Sequence, residues 1–130
     1  MKVKQINVPY YKWKVITIII EDYKDKDEVN KKMHSLRMRD EDMENINNMI
    51  DSESSEGAVC HFNLSRLWAV IVIFPHKKVK DLVSTLVHEG RHAADEVIET
   101  VGLEGSESAA YLTEYIIFKM IEEYIKDEKP

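Results

Sequence analysis

The segment Trp68-Ala69-Val70-Ile71-Val72-Ile73-Phe74 is apolar at every position, and no other stretch constrains the fold so tightly. A strand with one wet face alternates apolar and polar residues. A strand apolar on both faces belongs in the interior of a sheet. Pro75 closes the run, because proline cannot continue a central ladder. Ala58 to Phe62 reads as a second strand, joined to the first by a hairpin connection at Asn63-Leu64-Ser65-Arg66. A third is expected in Val8 to Ile20, strongest from Trp13, with Pro9 at its beginning or at an edge position.

Elsewhere the period is helical. Val29, Met33 and Leu36 fall at i, i+4, i+7, and Met43, Ile46 and Ile50 at i, i+3, i+7. Arg39-Asp40-Glu41-Asp42 marks a break or bend between them. The methionines of this region (Met33, Met38, Met43, Met49) read as core filler rather than a soft binding surface. Asp51 to Gly57 is a polar loop. Lys80 to Val101 is a long helix, with Asp81 or Ser84 near its start and Gly102 as its C-terminal stop. Ser106 is a good N-cap for a last helix reaching about Lys126. The order β-α-(α)-β-β-α-α implies an α+β fold, with about three mostly antiparallel strands packed on helices. The 130 residues suffice for one domain, spanning 1–130, and are too few for two ordinary ones.

Charge narrows the partners. The formal net charge is -6, and the basic runs (Lys2 to Lys4, Lys12 with Lys14, Lys31-Lys32, Lys77 to Lys80) are short. Phosphate binding needs clustered Lys and Arg, so nucleic acid is not the expected partner. No apolar run approaches the ~20 residues of a membrane span, and the first residues lack the apolar core of a signal peptide. A cytosolic protein with no membrane partner is expected. Cys60 has no second cysteine to pair with; its apolar setting predicts a buried, inert thiol.

The chemistry lies in His88-Glu89-Gly90-Arg91-His92. Histidines at i and i+4 on a helix share one face and can reach one ion. Glu89 flanks that face, where it can take a proton from water whose pKa the ion has lowered toward ~7. A chance match to His-Glu-x-x-His in a chain this size is on the order of a per cent or less, and this one falls in a segment independently read as a helix. Without a metal, the two histidines would simply be satisfied by local hydrogen bonds. Gly90, costing ~1 kcal/mol relative to alanine in mid-helix, marks a close approach to the backbone. Catalytic zinc sites usually hold three protein ligands. Asp95, Glu99, Glu104, Glu107 and Glu114 are the downstream candidates. Asp95 suits a supporting partner of a ligand histidine, and Glu99 lies two turns away. A strictly antiparallel last helix favours Glu114, and a steeply crossing one favours Glu107.

Thr85-Leu86-Val87-His88-Glu89-Gly90-Arg91-His92, followed by Glu107-Ser108-Ala109-Ala110-Tyr111-Leu112, resembles the gluzincin type of zinc metallopeptidase. More narrowly, it resembles a group of small bacterial and bacteriophage proteins with His-Glu-x-x-His followed by Glu-x-x-Ala-Tyr-Leu. The likeness covers roughly Trp68 to Ile117, and weakly the N-terminal strand. It implies a minimal zincin-like domain in which His88, His92 and Glu107 hold Zn2+ and Glu89 is the base. The spacer after His92 is shorter than in well-studied gluzincins.

Acyl transfer also needs a donor to the developing oxyanion. Tyr111, one turn after Glu107, is the first candidate, with Tyr115 or His61 behind it. A core or rim aromatic, and a solvent-facing sheet histidine, are the plainer readings of these residues. Arg91 can pair with Asp95 at i, i+4, while His34 and His76 carry no visible constellation. The expected activity is zinc-dependent hydrolysis of a peptide or protein substrate, held by addition to an edge strand such as Ala58 to Phe62. The alternative is a non-catalytic, zinc-stabilised binding or inhibitor protein, whose acidic surface would suit a basic partner. A weaker third reading is a remnant fold that has lost its metal.

Overall fold

A computed structural model of the chain describes residues 1–53 and 57–128. It is an α+β structure built on a four-stranded mixed sheet, with β1 (Lys2–Asn7), β2 (Lys14–Ile19), β3 (Ala58–Asn63) and β4 (Trp68–Ile73) in the order β1-β2-β4-β3. β1 and β2 are antiparallel, as are β3 and β4, but β2 and β4 run parallel with Lys14 opposite Trp68 and Ile19 opposite Ile73. The sheet therefore has four strands rather than about three, and its centre is parallel.

The extra strand comes from splitting the N-terminal segment. β1 precedes the residues expected to form a strand, and Pro9 lies in the turn between β1 and β2. Tyr10 and Lys12 adopt positive φ there (69° and 60°), and the Val8 N–H donates to the Trp13 carbonyl at 2.8 Å. β1 escapes pattern reading because only Val3 and Ile6 are apolar in it. Lysines on an edge strand discourage further pairing and disguise the strand as a solvated segment.

Both faces of the sheet are covered. α1 (Lys26–Ser35) and α2 (Asp40–Asp51) close one face over Ile16, Ile18, Val70, Val72 and Phe74. α3 (Val79–Val101) and α4 (Glu107–Glu128) close the other over Val15, Ile19, Ala69, Ile71 and Ile73. This is why β2 and β4 are apolar on both faces: alternate side chains enter two separate cores. Met33 and Met43 are buried, with Met38 and Met49 packed against the same cluster, as expected of core filler. The break between α1 and α2 spans Leu36 to Arg39, with Arg37 at φ 54°. Of the polar loop expected from Asp51 to Gly57, residues 54–56 lie outside the described residues, and Asp51 ends α2.

α3 ends and α4 begins where the sequence signals place them, while α3 starts at Val79 after Lys78 without a side-chain cap and α4 runs on to Glu128. Gly102 takes the left-handed conformation (φ 75°) and its N–H reaches the Glu99 carbonyl, while the Leu103 N–H closes on Ile98. Ser106 accepts from the Ala109 N–H at 3.1 Å, satisfying a free amide of the first turn of α4. No helix among the described residues is long and apolar enough to cross a membrane.

Candidate metal centre

α3 buries Leu82, Leu86, Glu89, Gly90, Ala93, Ala94, Val97 and Ile98. All but Glu89 are apolar or small, as a helix facing a core requires. The small residues let α4 approach closely. A Cβ at Gly90 would lie 3.0 Å from Ile117 Cγ1 and 3.1 Å from Met120 Sδ, so the glycine is a point of close approach between the two helices.

His88 and His92 stand on the exposed side of α3. Their Nε2 atoms are 3.1 Å apart, with ring centroids at 4.7 Å and planes 79° apart. Two imidazole nitrogens bound to one tetrahedral zinc at ~2.0–2.1 Å sit about 3.3 Å from each other. The pair therefore already has close to the spacing of two ligand positions. Without a metal, one ring N–H donates to the other ring, as the i, i+4 spacing permits.

Glu89 is 7% exposed and lines a groove between α3 and β3 together with His92. No hydrogen bond or ion pair engages its carboxylate among the described residues. No fully enclosed side-chain nitrogen or oxygen among those residues lacks a partner. The Glu89 oxygens therefore keep contact with the groove. Glu89 is the one charged residue on the buried face of α3, where a helix facing a core otherwise carries apolar or small side chains.

The third donor is not assembled. Among the described residues no group of three His, Cys, Asp or Glu side chains is arranged to hold a metal ion. Ile98 shares a groove with Ala109, Gly90 meets Ile117, and Leu82 shares a cavity with Tyr124. α3 and α4 are thus antiparallel. Glu107 lies ten residues before Ile117 along α4, about 15 Å at ~1.5 Å per residue. The same levels put Glu114 beside His92 along the axis, although Glu114 faces the groove that also holds Arg91 and Asp95. Glu107 instead accepts from the Tyr111 hydroxyl at 3.4 Å, and Tyr111 is 64% exposed at the start of α4. Glu104 and Glu99 border the Arg91 side of the helix pair, and Asp95 pairs with Arg91 at 3.1 Å as i, i+4 spacing predicts.

Two other histidines are accounted for differently. Strand alternation sends His61 to the opposite face of the sheet from α3, where its Nδ1 is 3.5 Å from Asp42. It is therefore no oxyanion donor for Glu89. His76 bridges the Phe74 carbonyl (2.6 Å) and the Thr85 hydroxyl (2.9 Å), tying the end of β4 to α3.

The α3–β3 groove also holds Glu96, which the sequence reading passed over. Its signal was present: Glu89, His92, Glu96 and Glu99 follow i, i+3, i+7, i+10, one face of the helix. Cys60 faces the same groove and is half-buried rather than fully buried as its apolar setting predicted. Burial, then the nearby Glu89 and Glu96 carboxylates, push its thiol up to about 12. Against the usual 9.0 that leaves about a thousandth of the ordinary thiolate at neutral pH. Cys60 is accordingly expected to react with Ellman's reagent at pH 8 far more slowly in the folded chain than in urea. A folded-state rate within tenfold of the unfolded one would contradict this environment. Comparison of the chain with protein-family models, curated proteins and solved structures finds no match.

Proposed function

We propose that the chain is a zinc-dependent amide hydrolase of the metallopeptidase type, with His88 and His92 as two metal ligands and Glu89 as general base. The observation that carries this reading is the 3.1 Å between the two Nε2 atoms, within a few tenths of an ångström of the spacing zinc imposes. Glu89, buried one residue from the first histidine and without a hydrogen bond or ion pair among the described residues, supports it. A bound zinc would polarise a substrate carbonyl and lower the pKa of water.

The work of the chain's own residues follows from their placement. A Glu89 carboxylate oxygen takes the proton of the attacking water and returns it to the departing amide nitrogen. Its confinement between α3 and β3 limits its rotamers, so little orientation has to be gained in the reaction. β3, at the edge of the sheet, offers backbone groups to an extended substrate beside that carboxylate. For the third donor, the gluzincin likeness favours Glu107 and the antiparallel helix levels favour Glu114. The role of Tyr111 as oxyanion donor goes with Glu107, its neighbour on α4.

Metal analysis by mass spectrometry tests the reading. The purified chain should carry about one zinc, lost in His88→Ala and His92→Ala and retained in Glu89→Gln. Glu107→Ala and Glu114→Ala identify the third donor by which of them loses the metal. A folded wild-type chain that takes up no stoichiometric zinc when it is supplied would overturn the proposal.

A further inference from the structure

β3 and α3 enclose a groove of about 420 Å³ whose two walls have complementary uses. The strand wall is an open backbone edge. The Phe74 N–H bonds to the Gly57 carbonyl at 2.9 Å, and the ladder continues with Ala58 opposite Ile73. In an antiparallel pair hydrogen-bonded positions alternate. Residues 59, 61 and 63 therefore spend their backbone groups on β4. Ala58, Cys60 and Phe62 direct theirs outward, along an edge with no strand partner among the described residues. The same three residues line the groove.

The helix wall is acidic. Glu89, Asp95, Glu96 and Glu99 all line it. Asp95 is matched by Arg91, but no ion pair or hydrogen bond among the described residues engages the other three. Glu89 provides a second, independent sign of a ligand, being more than nine-tenths buried, lining this groove, and without a hydrogen bond or ion pair among the described residues. The charge is felt inside the cleft, since Glu89 and Glu96 both act on the Cys60 thiol.

We propose that this groove binds an extended peptide added to the free edge of β3, with a lysine or arginine side chain held by Glu96 and Glu99. As a statement about substrate class this rests on the hydrolase reading; as a statement about binding it does not. Glu96 and Glu99 lie seven and ten residues beyond Glu89, about 10 to 15 Å along the helix. An extended chain covers that in about three to five residues. The basic residue therefore sits about three to five positions from the bond lying beside Glu89.

The test uses the full chain and fluorescence anisotropy at physiological ionic strength. The probes are a labelled nonapeptide in which lysine alternates with threonine, and its counterpart with glutamate in place of lysine. Wild type should bind the lysine peptide about tenfold tighter. Glu96→Gln with Glu99→Gln should abolish that preference. Glu122→Gln with Glu123→Gln, the same charge change on α4, should leave it intact. Methylating the amides of the peptide's strand-pairing edge should weaken binding further. Equal affinity for both probes, or equal loss in both double variants, overturns the assignment. The two readings fail separately. A zinc-loaded chain without lysine preference loses the groove assignment alone, and a lysine-selective chain that takes up no zinc loses the hydrolase reading alone.

Discussion

Glu89→Gln is expected to retain zinc and to lower peptide turnover about 10²- to 10⁴-fold, the usual contribution of a positioned general base. Glutamine has nearly the same shape, so the packing of α3 against β3 is kept. It also removes a charge buried at 7% exposure with no partner among the described residues. Its oxygens keep contact with the groove, so the neutral amide is tolerated there and the variant should melt at the same temperature as wild type or higher. A gain or tie in stability with a loss of turnover separates a catalytic carboxylate from a structural one. The assay pairs hydrolysis of the lysine-alternating peptide with metal content and thermal unfolding. Unchanged turnover in a zinc-loaded variant would remove Glu89 from the chemistry. Loss of zinc would instead make Glu89 a ligand and leave the base unassigned.

The second large effect concerns the face of the sheet away from the candidate centre. Phe74 is 0% exposed, packed among Ile18, Ile20, Val29, Met33, Ile46 and Ile50. Its N–H is also tied to the Gly57 carbonyl. Phe74→Ala is expected to destabilise the chain by about 3–5 kcal/mol, from lost burial plus the cavity left behind. Small domains have about 5–15 kcal/mol in all, so that is a large fraction of the whole. Phe118, 63% exposed on α4, supplies the contrast, and Phe118→Ala should cost less than about 1 kcal/mol. Urea unfolding of the two variants decides the matter. A loss below about 1 kcal/mol in Phe74→Ala would mean that α1 and α2 do not form a second core layer.

Much of the candidate centre was readable before any tertiary structure, because its parts are local. Histidines at i and i+4 must share a face of one helix, and the apolar residues around them declare that helix. Gly90 signalled a close approach, which proved to be Ile117 and Met120 of α4. The third donor was not readable, because it depends on how far α4 runs before it comes level with His92. That distance is set by how Gly90, between the two histidines, packs against Ile117 and Met120 of α4, which the pattern of α3 alone does not show. Glu96 was missed for a simpler reason: its importance appears only when β3 closes the other side of the groove.

By itself the sequence determined the elements whose signals lie within one segment. These are the apolar strand read as Trp68 to Phe74 and found as Trp68–Ile73, the strand read as Ala58 to Phe62 and found as Ala58–Asn63, the stop of α3 at Gly102, the Ser106 cap and the His88–His92 pair. Each follows from backbone sterics, hydrogen-bond satisfaction or periodicity over a few residues. Only the tertiary structure decided that Lys2–Asn7 is a strand, that β2 and β4 run parallel, and that His61 faces away from α3. Strand partners, sheet faces and helix levels are properties of pairs of segments distant in the chain. Their energies come from the apolar area that two elements bury together, which neither carries in its own pattern.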